Sequence, residues 1–272
     1  MTERMRLDVL LVERGLAPSR ERAQALIMEG SVLVDGEPRA KAGQAVAADA
    51  RLAVTSAGPP FVSRGGLKLR RALDAFALDP TGQVCVDVGA STGGFTDCLL
   101  QAGAARVYAV DVGYGQLHWR LRTDPRVIVL ERVNARHLEA GALPEQPTFA
   151  VLDVSFISLT KVLEPVGRAM GFGAAEDERP PRTMVALVKP QFEVGPKRAP
   201  RGVVRDPAAH RDALHTAIAS ARAMGWRAVA LAESPLLGPA GNREFLLWLA
   251  GGAGASASGE IEEEDVDRCV GR

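Results

Sequence analysis

From residue 84 onward, seven short apolar runs alternate with helical stretches. The runs are 84–88, 106–111, 127–130, 149–153, 184–188, 227–232 and 244–249, and helical periodicity marks 95–102, 158–170 and 207–223. Strands that alternate with helices need crossover connections, and these place the strands side by side in a parallel sheet. The expectation is an α/β fold: a doubly wound, mostly parallel, seven-stranded sheet. In such sheets ligands bind at the carboxyl ends of the strands, so the residues that close each run matter most.

The first run passes into VDVGASTGGFTD, residues 86–97, a strand, a glycine-rich turn and a helix start. Small residues let backbone approach a ligand, and helix N-terminal amides favour negative charge. The dinucleotide fingerprint is G-x-G-x-x-G, and Ser91 stands where its second glycine is required. Asp111 closes the second run, where a carboxylate can hold ribose hydroxyls. Dinucleotide and adenosylmethionine enzymes share that device, so the turn alone leaves both open. The fourth and fifth runs end in Asp153 and Lys189, which should face the same crevice.

The first 54 residues read helix, turn, helix, hairpin. Leu7, Leu10 and Leu11 share one helical face, and Gly15 suits its stop. Ser19 is positioned to cap a second helix that buries Ala23, Leu26 and Ile27 and stops at Gly30. Residues 32–34 then meet Asp35-Gly36, a tight-turn dipeptide. Residues 55–66 read as a linker, 67–76 as a helix and 172–182 as a surface loop. Residues 251–272 are Gly/Ala/Ser-rich and then acidic, a composition that predicts a disordered tail.

The net charge is zero. Six acids and two bases within residues 260–272 give that segment a charge of −4, so the rest of the chain carries the balancing positive charge. Three scattered cysteines form no disulfide framework and fit a reducing cytoplasm. The four histidines show no ligand spacing, so no metal is expected. No apolar run approaches the roughly 20 residues of a membrane span.

RLDVLLVERGLAPSRERAQALIMEGSVLVDG resembles the S4 RNA-binding domain. The glycine turn, LDVSFISL, LVKPQFE and GPAGNREFL resemble the TlyA family, which is sometimes labelled hemolysin. Its members are two-domain ribosomal RNA 2′-O-methyltransferases related to the FtsJ/RrmJ type. The resemblance spans residues 5–250 and implies a Rossmann-like class I methyltransferase domain (67–250) after a small α+β S4 domain (1–54). It implies S-adenosyl-L-methionine as cofactor, held by Gly89, Ser91, Thr92, Gly93, Gly94, Phe95, Asp111 and Asn134. The family's Lys-Asp-Lys-Glu tetrad falls on Lys68, Asp153, Lys189 and Glu244. Some members carry an Arg-x-Trp-Val type motif in the linker; Pro59-Pro60-Phe61-Val62 stands there in this chain.

The implied reaction is in-line attack of a ribose 2′-oxygen, cytidine by family resemblance, on the sulfonium methyl. Lys189 is then the base, Lys68 and Glu244 orient the hydroxyl and its phosphate, and Asp153 orients Lys189 or the sulfonium. Residues 1–54 carry eight bases and eight acids, so RNA contact must come from clustering. Candidates are Arg4, Arg6, Arg20, Arg22 and Lys41, with Arg64, Arg70 and Arg71 in an acid-free stretch before the sheet. The expected partner is ribosomal RNA in a ribosomal subunit, met by a cytoplasmic monomer. An NAD-type oxidoreductase is disfavoured by Ser91 and the lysine-rich crevice. A membrane-active hemolysin is disfavoured by the lack of an apolar span or cationic amphipathic anchor, and an inactive RNA-binding adaptor by the intact tetrad.

Overall fold

The computed structural model describes residues 4–28, 30–38, 41–54, 60–172, 181–252 and 259–271. The first part of the linker (55–59), most of the surface loop (173–180) and part of the tail (253–258) lie outside the described residues. The chain divides into two compact units, Met1–Pro60 and Phe61–Arg272.

In the first unit, helices α1 (Leu7–Glu13) and α2 (Arg20–Met28) pack on short antiparallel strands. Strand β1 (Arg4–Arg6) pairs with β4 (Ala45–Ala47), while β2 (Val32–Val34) pairs with β3 (Glu37–Pro38) and β5 (Leu52–Val54). Leu7, Leu10, Leu11, Ala23, Ile27 and Val32 form a small core. Asp35 and Gly36 both take positive φ, as the tight β2–β3 turn requires. The Ser19 hydroxyl accepts from Arg22 N at 3.2 Å, the cap the sequence predicts. Strands β1, β4 and β5 have only three residues each, too few for alternation to reveal.

The second unit opens with α3 (Gly65–Ala75) and then builds the sheet from β6 (Val84–Val88), β7 (Arg106–Asp111), β8 (Val127–Glu131), β9 (Phe149–Leu152), β10 (Arg182–Val188), β11 (Arg227–Glu233) and β12 (Phe245–Gly251). The order across the sheet is β11-β12-β10-β9-β6-β7-β8, and only β12 runs antiparallel to its neighbours. Alternate residues of each strand feed two core layers. Val86 and Val88 join α6 (Leu163–Ala169) and α8 (Pro207–Ala223), whereas Cys85 joins α3 and α4 (Gly94–Gln101); the short α5 (Trp119–Arg122) links β7 to β8. The direction of winding reverses beside β6, whose neighbours are β7 and β9, and that is where a doubly wound sheet opens a crevice.

The sequence places the last linker residues, 60–66, outside the domain, but Phe61 is buried in the α3–α4 layer and the second unit starts there. The acidic tail also differs from expectation. Residues 263–270 form helix α9 (Glu263–Val270), which opens with a capping box of Glu262 and Asp265. Ile261, Val266 and Val270 are buried in the core. The acids do not repel the body because basic side chains meet them. Arg211 pairs with Asp267 at 2.6 Å, His215 with Glu263 at 3.1 Å and Arg222 with Glu260 at 2.8 Å. Composition hid three well-spaced apolar residues among the charges. No helix among the described residues is long and apolar enough to cross a membrane.

Candidate active site

Three strand ends and one helix supply the tetrad. Asp153 follows β9, and Lys189 follows β10 as the N-cap of the short helix α7 (Pro190–Glu193). Glu244 immediately precedes β12. Because β12 is antiparallel, its start lies at the rim where β9 and β10 end, and Phe245 pairs with Val188. Lys68 comes from α3.

These four side chains form two ion pairs. Lys68 Nζ donates to Glu244 Oε2 at 2.6 Å, and Glu244 is fully buried. Lys189 Nζ lies 2.6 Å from Asp153 Oδ1 and donates to Ser155 Oγ at 2.8 Å. The Asp153 contact is an ion pair without the alignment of a directed hydrogen bond, and Asp153 Oδ1 has no hydrogen-bond donor. Glu244 Oε1 likewise has no partner among the described residues. A buried carboxylate oxygen left unpaired is costly. Gly238 lies against it: a β-carbon there would come within 2.1 Å of that oxygen.

The glycine turn is shaped by what it touches. Gly89 has φ +85°, and a β-carbon on it would lie 2.5 Å from the Asp153 carbonyl oxygen. Gly94 abuts Ser63, whose Oγ would be 2.3 Å from an added β-carbon. The Asp111 carboxylate accepts from Ser91 N at 2.8 Å and from Gly113 N at 2.7 Å, pinning the turn to the end of β7.

Two clefts meet at Gly89, Ser91 and Asp153. One, of about 510 Å³, is lined by Arg64, Lys68, Thr92, Gly94, Phe95 and Leu237. The other, of about 360 Å³, is lined by Asp111, Val112, Asn134, Phe156 and Ile157. Of the cofactor candidates, Gly89, Ser91, Thr92, Gly94, Phe95, Asp111 and Asn134 all reach these walls. Gly93 does not; it makes room for Leu121 and Leu117. Lys189 sits behind Asp153 and is also absent from the cleft walls, and its side chain is 8% exposed.

A model of the FtsJ-like methyltransferases matches residues 61–250, and an S4 domain model matches residues 5–52. The chain belongs to the TlyA family of FtsJ-like methyltransferases. It is 46% identical to the 16S/23S rRNA (cytidine-2′-O)-methyltransferase TlyA of Mycobacterium tuberculosis, over 99% of this chain and 98% of that protein. It is 36% identical to Hemolysin A of Brachyspira hyodysenteriae, over 89% of this chain and 98% of that protein. A solved structure of a hemolysin-named protein from Streptococcus thermophilus aligns with TM-score 0.73 at 38% identity, covering 99% and 95% of the two chains.

Three residues near the clefts were passed over by sequence reasoning. Asp87, in the middle of the apolar strand β6, is fully buried, accepts from Thr96 Oγ1 at 2.6 Å and leaves Oδ1 unpartnered. Burial, with smaller contributions from Asp153 and Asp111 and opposed by the Thr96 hydrogen bond, pushes its carboxyl up to about 7. A carboxylate inside VCVDV was the available signal. Glu193 accepts from Ser158 Oγ at 2.6 Å and Leu159 N at 2.9 Å, tying α7 to the loop that carries Asp153. Burial raises its carboxyl as well. Phe156 is 92% exposed at φ +63°, with Phe192 tilted against it at 5.3 Å. Periodicity carries no signal for an aromatic outside any element.

In the first unit, Arg4, Arg6, Arg20, Arg22 and Lys41 are all exposed. In the second, Arg64 lines the larger cleft, Arg71 is exposed, and Arg70 pairs with Asp74 at 2.6 Å.

Proposed function

We propose that this chain transfers a methyl group from S-adenosyl-L-methionine to the 2′-hydroxyl of a cytidine ribose in ribosomal RNA. The observation that carries this reading is the convergence of Lys68–Glu244 and Lys189–Asp153 on one sheet rim, against a turn whose glycines leave no room for a β-carbon. The relatives named for ribosomal RNA methylation support the substrate class. In this reading the protein works in the cytoplasm as a monomer on a ribosomal subunit.

The residues fit the cofactor. The turn at Gly89–Phe95 gives backbone access, Asp111 keeps acceptor capacity for ribose hydroxyls beyond the two amides it binds, and Asn134 lines the adenine end. When bound, S-adenosylmethionine supplies an electrophilic methyl on a sulfonium. The chain itself must position the ribose and take its proton. Lys68, held by Glu244, faces the cleft and positions the 2′-hydroxyl and its phosphate. Lys189 Nζ takes the hydroxyl proton, and the Asp153 carboxylate 2.6 Å away stabilises the ammonium that results. Exposed Phe156 offers a stacking face for a base.

The test is to map ribose 2′-O-methylation on 16S and 23S rRNA from cells with and without the gene, paired with calorimetry of the purified protein. Methylation that tracks the gene and binding of S-adenosylmethionine but not NAD are expected. An unchanged methylation map with NAD binding would replace this reading with an oxidoreductase.

A further inference from the structure

Among the described residues of the first unit, Asp8 is the one fully buried acid, its side chain 0% exposed beside Leu7, Leu10 and Leu11. Burying a carboxylate is unfavourable unless every lone pair finds a donor. Here each does. Oδ1 accepts from Arg6 Nε at 3.0 Å and Val9 N at 3.1 Å. Oδ2 accepts from Arg6 Nη2 at 2.9 Å, Arg20 Nε at 3.0 Å and Gln24 Nε2 at 2.9 Å.

The two arginines are not consumed by this. Their side chains remain 49% and 51% exposed. Arg20 engages Asp8 through Nε and Arg6 through Nε and Nη2. Among the described residues, Arg6 Nη1 and both Nη groups of Arg20 have no acceptor. Arg6 leaves the end of β1 and Arg20 opens α2, so one carboxylate gathers guanidinium groups from two separate elements. Gly43 leaves room for Arg6, whose Nη1 would lie 3.3 Å from a β-carbon there. A unit with eight bases and eight acids has no general attraction for a polyanion, so local order must provide it.

We propose that Asp8 is a positioning residue that sets Arg6 and Arg20 as a preformed two-guanidinium fork for an RNA phosphate. This rests on the reading of the first unit as the RNA-binding half. Planar guanidinium groups already held in place lose little entropy on meeting a phosphate and can bind it in a directed way.

The proposal makes a prediction opposite to that of simple charge counting. Asp8→Asn removes a negative charge, so unspecific electrostatics alone would tighten RNA binding and steepen its salt dependence. A positioned fork requires the reverse. The experiment titrates the full-length protein with salt-washed ribosomal subunits at several KCl concentrations. For Asp8→Asn, affinity is expected to fall about tenfold, and the slope of log affinity against log salt to shrink by about 0.9 for each phosphate that is no longer neutralised. The KM for subunits should rise while kcat and S-adenosylmethionine affinity stay as in the wild type. Equal or tighter binding overturns the proposal. Arg20→Lys keeps the charge and loses the Nε–H that meets Asp8; it too should weaken binding, and because Arg20 is half exposed it keeps the fold intact. If Asp8→Asn disturbs the unfolding profile, the Arg20→Lys result decides, and wild-type affinity there overturns the fork. The double variant Arg6→Ala, Arg20→Ala tests the underlying reading: unchanged subunit binding would remove the first unit from RNA recognition altogether.

Discussion

Two buried carboxylates in this chain are held in opposite ways. Asp8, in the small unit, has a donor for every lone pair, and its neighbours, the Arg6 guanidinium foremost, hold its carboxyl well below the usual carboxylate range. Asp87, under the glycine turn, has one hydroxyl donor and an empty oxygen, and burial pushes it up to about 7. Glu244 resembles Asp87 in leaving one oxygen unpaired, although Lys68 holds the other. A saturated buried acid orders its surroundings; an unsaturated one keeps acceptor capacity that a further donor could use. The contrast sets the saturated acid of the small unit apart from the unsaturated acids of the second unit.

The largest expected effect lies on the unsaturated side. Lys189→Ala should lower methyl transfer by roughly 10²–10⁴-fold in single-turnover assays, the usual range for losing a general base. S-adenosylmethionine affinity should be retained, because Lys189 is absent from the cleft walls. A near wild-type rate would remove the base assignment and leave Lys189 as a strut for Asp153.

The Lys68–Glu244 pair sharpens the comparison through stability. Lys68→Met leaves the fully buried Glu244 carboxyl without its partner, and removing one partner of a buried pair costs about 3–5 kcal/mol. The double variant Lys68→Met, Glu244→Gln should recover most of that loss, since no charge remains buried. Denaturant unfolding of the two variants reads the difference; equal destabilisation would mean that Glu244 is solvated in solution.

The seven sheet strands were readable because each is a run of apolar residues bounded by turns or charge, and their boundaries fall within about two residues of the sequence reading. Asp153 and Lys189 were readable too, since strand ends in a doubly wound sheet face the crevice. The antiparallel run of β12 was not, because residue pattern does not encode strand direction. Without that direction Glu244 cannot be placed at the rim, and its bond to Lys68 spans 176 residues. Only family resemblance connected those two. Asp87 was hidden because a single acid in VCVDV looks like part of a strand. The Asp8 fork was hidden because Arg6 and Arg20 belong to different elements and charge counting cancels them.

Acid titration should split the two units in opposite directions. Asp8 has a lowered value when folded, so its contribution is complete above about pH 4, the unfolded carboxylate value, and is lost as pH falls below that. Asp87 has a raised value when folded. Between about pH 4 and 7 the folded state holds a proton that the unfolded state has released, so stability falls as pH rises through that window. Asp87→Asn should reduce the decline of the second unit between pH 4 and 7, to which the raised Glu193 also contributes, while Asp8→Asn should make the first unit less sensitive to acid below pH 4. Hydrogen exchange resolved by peptide separates the two units in one sample. If Asp87→Asn leaves the pH 4–7 slope unchanged, Asp87 is ionised when folded and the contrast between the two acids disappears.

The smallest effects belong to acids of a third kind, those on the surface of α9. Asp267 and Glu263 are 41% and 69% exposed and paired, and exposed pairs are worth only about 0–1 kcal/mol. Val266 is 1% exposed in the core, and truncating a buried aliphatic side chain costs about 1–3 kcal/mol through lost burial and a residual cavity. Val266→Ala should therefore destabilise the second unit more than Asp267→Asn, and high salt should weaken only the ion pairs. The helix would then owe its place to Ile261, Val266 and Val270, with its acids preventing misplacement more than supplying strength. If Asp267→Asn instead cost more than Val266→Ala, the helix would be held by charge, and exposure would no longer rank these carboxylates.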